Sequence, residues 1–81
     1  MSTVWVKLFA TLRSHRPGLG IGEAFPVEVA DGATICGLIC QLQLPEDEVR
    51  LVFVNAVACE RDRVLVEGDE LGVFPSVGGG Q

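Results

Sequence analysis

Phe25-Pro26-Val27-Glu28-Val29-Ala30-Asp31-Gly32-Ala33-Thr34-Ile35-Cys36-Gly37-Leu38-Ile39-Cys40-Gln41-Leu42 changes its periodicity part-way along. Up to Val29, apolar Phe25, Val27 and Val29 alternate with Pro26, Glu28 and Ala30, the two-residue repeat of a strand with one buried face. Asp31-Gly32 ends that strand as a turn. Beyond Thr34 the repeat lengthens: Ile35, Leu38, Ile39 and Leu42 stand at i, i+3, i+4 and i+7, the apolar stripe of a helix lying on a sheet. Thr34 is the expected N-cap. Gly37 costs about 1 kcal/mol relative to Ala, and no Glu or Gln at N3 completes a capping box, so this helix depends on packing. Pro45 is expected to stop it.

Upstream, Thr3 to Phe9 alternates as well, with Val4, Val6 and Leu8 on one face and Trp5, Lys7 and Phe9 on the other. That predicts a first strand, apolar on both faces, pairing antiparallel with the second across a long loop. Ala10 to Leu12 fits a short helical turn, with Arg13, His15 and Arg16 expected in solvent. The loop of Pro17-Gly18 and Gly20-Ile21-Gly22 has no periodicity.

Downstream, Glu46-Asp47-Glu48 reads as an acidic, solvated connector. Leu51 to Val54 is almost wholly apolar, as expected of a central strand covered on both faces. Asn55-Ala56 turns the chain into Val57-Ala58-Cys59, because Asn tolerates a left-handed backbone. Val64-Leu65-Val66 then approaches a Gly68-Asp69 turn, and Leu71, Val73 and Phe74 form the last strand. This order predicts an α+β domain of the β-grasp, ubiquitin-like kind, a mixed four- to five-stranded sheet packed on one main helix. The first and last strands should lie side by side and parallel at its centre. We place the domain at 1–77 and a glycine-rich tail at 78–81.

Eighty-one residues, 48% of them hydrophobic, exclude a disordered chain and suffice for one core. A net charge of -5 with six Lys and Arg speaks against nucleic acid and for a basic protein partner. No apolar run approaches the ~20 residues of a membrane span, and no secretory leader is visible, so a cytoplasmic location is expected.

The chemistry-bearing side chains are sparse. Cys36, Cys40 and Cys59 are too few and wrongly spaced for a plant-type iron–sulfur cluster, and the sole imidazole, His15, lies apart from them, so buried free thiols and no metal site are expected. His15 has no partners for nucleophilic catalysis. Glu67, Asp69 and Glu70 could form an acid/base pair but more simply solvate a turn and dock a basic partner. Gly18-Leu19-Gly20-Ile21-Gly22 has no strand before it and no helix or Lys after it, so it reads as a loop and not a phosphate cradle.

What remains is the end of the chain, Phe74-Pro75-Ser76-Val77-Gly78-Gly79-Gly80-Gln81. Consecutive glycines lose the most conformational entropy on ordering and stay mobile unless a partner fixes them. Such a segment can thread a channel too narrow for side chains, or be a frayed terminus. A free carboxylate acylates nothing, but joined to AMP from ATP it becomes an acyl group that a sulfur donor can attack.

Leu65 to Gly79 resembles the carboxyl-terminal signature of the MoaD/ThiS sulfur carriers, ubiquitin-like proteins ending in Gly-Gly. Val6-Lys7-Leu8-Phe9-Ala10-Thr11-Leu12-Arg13 is similar to the opening strand of the MoaD branch, Asp31-Gly32-Ala33-Thr34 to its helix start and Val54-Asn55 to its central turn. The resemblance implies a terminal glycine adenylated by an E1-like enzyme using ATP, then converted to a thiocarboxylate. In the MoaD branch that tail enters the larger, MoaE-like subunit of molybdopterin synthase and gives its sulfur to the pterin precursor of the molybdenum cofactor. By position, Gly79 and Gly80 match the diglycine if it is the pair nearest the end, and Phe74, Pro75 and Val77, leading into Gly78, match the hydrophobic neck that docks the partner. The carrier itself is then not an enzyme and binds no cofactor. Gln81 departs from the pattern: either a protease trims it to leave Gly80 terminal, or the tail is not activated. Thiamine, cysteine or another sulfur pathway, and a non-activated β-grasp binding module, are the alternatives.

Overall fold

A computed structural model describes residues 1–75. Five strands and one helix follow each other as β1 (Ser2–Leu8), β2 (Ala24–Val29), α1 (Ile35–Gln41), β3 (Val49–Val54), β4 (Val57–Cys59) and β5 (Glu70–Pro75), with 3-10 turns at Ala10–His15 and Glu46–Glu48. The sheet order is β2-β1-β5-β3-β4. β1 pairs antiparallel with β2 and parallel with β5, and β3 runs antiparallel to both β5 and β4. This is the mixed, five-stranded β-grasp sheet expected, with its first and last strands adjacent and parallel.

The helix covers one face. Val4, Val6 and Leu8 of β1, Val52 and Val54 of β3 and Leu71 and Val73 of β5 meet Ile35, Leu38 and Ile39 of α1, all of them buried. Each Leu or Ile removed from water there contributes roughly 1.5–3 kcal/mol. The Thr34 hydroxyl accepts a hydrogen bond from the Gly37 amide at 3.2 Å, as an N-cap should. Carbonyls of Arg63 and Arg61 accept from the amides of Ile35 and Cys36, so the loop before β5 also ties down the helix start.

Several expectations need correction. The helix ends before Pro45: Gln43 takes a left-handed backbone (φ 59), and Leu42 is only partly buried. β3 is not covered on both faces, since Leu51 remains 43% exposed on the side opposite the helix. Cys36 and Cys40 are exposed because a single helix on one sheet face buries only its Ile35–Leu38–Ile39 stripe, and Cys59 is half-buried at the core margin. Val64 forms one isolated bridge to Thr34 and no strand. His15 and Arg16 are exposed as expected, with the Arg16 guanidinium 4.1 Å from the centre of the Phe25 ring and His15 3.3 Å from Glu48, whereas Arg13 is half-buried. At the β3–β4 turn both Asn55 (φ 51) and Ala56 (φ 71) are left-handed, the paired geometry a two-residue hairpin requires, and Ala56 takes it with a Cβ in place.

Candidate functional site

The site grows from β5, the strand that carries the neck residues. Its alternation sends Leu71 and Val73 into the core and Glu70, Gly72 and Phe74 to the opposite face. On that face Trp5 lies across from Glu70, Lys7 from Gly72, Phe53 from Gly72 and Leu51 from Phe74. No described element covers these residues. Trp5 is 42% exposed, and all of them but Leu51 line a shallow groove with Phe9, Ala24, Asn55 and Ala56.

Its apolar floor is a three-ring cluster. Phe9 and Phe74 stack with centroids 4.3 Å apart and planes 2° from parallel, while Phe53 meets Phe74 edge-on at 5.4 Å. Gly72 makes the stack possible. A Cβ there would stand 3.2 Å from Cε2 of Phe9 and 3.4 Å from Cε1 of Phe74, so any side chain would push the rings apart. The Phe9 amide donates to the carbonyl of Val73 at 3.1 Å, so the residue just past β1 also grips the backbone next to Phe74.

A polar lock holds the other end of β5. Asp69 is only 4% exposed; its Oδ2 accepts from Arg63 Nη1 and from the Val66 amide, each at 2.9 Å, and its Oδ1 accepts from Asn55 Nδ2 at 3.0 Å. Asn55 Oδ1 in turn accepts from the Glu70 amide at 3.0 Å. Burial raises the pKa of Asp69, but the Val66 amide, Arg63 and Asn55 outweigh it and hold the carboxyl below its ordinary value. Asp69 is thus neither a solvated turn residue nor half of an acid/base pair with Glu67 and Glu70. Glu67 instead accepts from the Thr3 amide at 2.9 Å, and Glu70 is exposed on the open face. Among the described residues no His, Cys, Asp and Glu group by threes as a metal would need.

Of the residues expected to dock a partner, Phe74 and Pro75 are half-buried at the end of β5. Val77, Gly78, Gly79 and Gly80, and Gln81 after them, lie outside the described residues. Phe9, Phe53 and Trp5 were not singled out from the sequence, although the alternation of β1 had already put Trp5 and Phe9 opposite the core.

Residues 6–80 match the ThiS family model, which takes in nearly the whole chain and both glycines of the expected pair. The chain belongs to the ThiS family. As such it is a small ubiquitin-like carrier and not itself an enzyme. Among solved structures it is similar to a Pyrococcus furiosus protein assigned as molybdopterin converting factor, subunit 1, at 27% identity and TM-score 0.75, over 95% of this chain and 100% of that one. Haloferax volcanii small archaeal modifier protein 1 follows at 23% and TM-score 0.75, over 95% and 100% of the two chains. Caldiarchaeum subterraneum ubiquitin, at 18% identity and TM-score 0.61 over 98% of each chain, shares the fold. No curated protein sequence matches significantly. No described helix is long and apolar enough to cross a membrane.

Proposed function

We propose that this ThiS-family chain is a sulfur carrier whose Gly80, freed by loss of Gln81, is adenylated and then converted to a thiocarboxylate. An E1-like enzyme supplies the ATP chemistry: the terminal carboxylate attacks the α-phosphate, pyrophosphate leaves, and a sulfur donor displaces AMP from the acyl carbon. The thiocarboxylate then gives its sulfur to a precursor held by a larger subunit, in the cytoplasm. Molybdenum or tungsten cofactor synthesis is the pathway favoured, on the similarity to the converting-factor subunit.

The observation that carries this reading is the placement of the neck. Phe74, gripped by Phe9 on one side and Phe53 on the other, and Pro75, in register with Val49, end the strand at the middle of the sheet, so the chain beyond starts from a fixed point. With Gly79 and Gly80 lacking side chains, the terminal carbonyl can enter a narrow active site, while Phe74, Pro75, Val77 and Gly78 bear on the partner's rim. The chain's own residues do the positioning and the partners do the chemistry.

The test is intact mass spectrometry of the chain and of a form ending at Gly80, each incubated with ATP, an E1-like adenylating enzyme and a sulfide source. Replacement of one oxygen by sulfur on the Gly80 form is expected. If neither form exchanges oxygen for sulfur, the carrier reading is wrong; amide-linked conjugates to other proteins in its place would mark a modifier.

A further inference from the structure

Lys7 is the chain's only lysine, and it stands on the open face. Of the side chains that line the groove it alone is cationic, with the three-ring cluster and Trp5 around it. Its ammonium makes no hydrogen bond or ion pair among the described residues. Glu70, the one acidic side chain of the groove, is offset by a strand position, since it faces Trp5 while Lys7 faces Gly72, and the two form no ion pair. Among the described residues a strongly hydrated charge therefore sits unpaired within an apolar surface of an otherwise acidic protein.

The groove runs up to the end of β5, the place a partner that takes the tail must approach. Gly80 stands five positions beyond Pro75, a stretch that spans at most about 16–18 Å when fully extended, so the enzyme that takes Gly80 abuts the end of β5, beside Phe9 and Phe74. Covering the aromatic cluster would strip water from Lys7. An ammonium buried without a counter-charge is costly, and one facing a carboxylate is not.

We infer that the partner's docking surface is apolar but carries an Asp or Glu carboxylate directed at Lys7, which makes Lys7 a specificity-determining residue for docking. The overall charge of -5 suggests a basic partner, yet the centre of this interface demands the opposite sign. The inference rests on the carrier reading for the partner's identity, and its test separates the two.

The purified E1-like adenylating enzyme of the same cell is mixed with the full chain and treated with a carbodiimide, which joins an amine to a carboxylate in contact, forming an amide while the reagent takes up water. Peptide mapping should find Lys7 linked to one Asp or Glu of the enzyme, a product absent with Lys7→Arg. Dissociation constants are then measured with chains ending at Val77, which remove the glycine tail from the comparison. Lys7→Arg should bind within about threefold of the parent, Lys7→Met about 30-fold or more weaker because the enzyme's carboxylate loses its partner, and Lys7→Glu weaker still. Unchanged melting temperatures would confirm that these exposed substitutions leave the fold alone. Equal or tighter binding by Lys7→Met, cross-links confined to the Met1 amine, or no complex at all would overturn the inference. None of those results touches the mass shift, which judges the carrier chemistry separately.

Discussion

The two faces of the sheet use the same strands to opposite ends. Under α1, alternate residues of β1, β3 and β5 are Val and Leu packed to near-zero exposure; on the other side their neighbours are Trp5, Lys7, Phe53, Gly72 and Phe74, left half-open. Among the described residues one face is covered and the other is not. In a chain this small a single helix can close only one side of five strands, so apolar residues on the second side are retained at some cost in solubility. Their arrangement is as specific as a core's: a parallel stack, an edge-on ring and a glycine whose missing Cβ admits both.

The largest effect should fall on the closed face. Leu38→Ala opens a cavity beneath the sheet and should cost about 2–5 kcal/mol in denaturant unfolding, whereas Trp5→Ala should cost less than about 1 kcal/mol. Equal losses would mean that the open face is a second core and break the contrast. Next comes the lock that aligns both faces at the start of β5. Asp69→Ala should lose roughly 2–3 kcal/mol by leaving Arg63, Asn55 and the Val66 amide without their acceptor. Because the folded-state pKa of Asp69 lies below its unfolded value, its contribution is complete above the unfolded pKa of about 4 and fades as pH falls through the folded one. The stability of the parent should therefore decline below about pH 4 more steeply than that of Asp69→Ala, a difference that urea titrations across that range would reveal or refute. A small loss of stability at Gly72 sharpens the comparison most. Gly72→Ala should cost only about 1 kcal/mol yet separate Phe9 from Phe74, visible as altered aromatic ring-proton shifts in NMR spectra with the core methyl shifts unchanged.

Most of the closed face was readable from the sequence, because burial imposes periods that residues display directly. Val4, Val6 and Leu8, then Ile35, Leu38 and Ile39, named the core and the helix stripe, and Thr34 named the cap. The open face was read less well for a physical reason. Its aromatic residues come from β1, the residue just past it, β3 and β5, and only pairing between strands far apart in the chain brings Phe9 onto Phe74 above Gly72. The apolar run Leu51–Val54 likewise looked doubly covered, since an apolar face awaiting a partner has the same composition as one already packed. Asp69 was read as a solvated turn residue because its lock uses Asn55 and Arg63 from two other segments.

Strand order has one more consequence, for the timing of synthesis. β2-β1 and β3-β4 are separate hairpins, and only β5, made last of the five, bridges them. A ribosome that stalls before residue 70 releases two unjoined halves, neither with three strands over a helix. The strand that joins the two hairpins is thus the one that leads out to the tail, and a chain ended before it has no joined sheet from which a tail could extend.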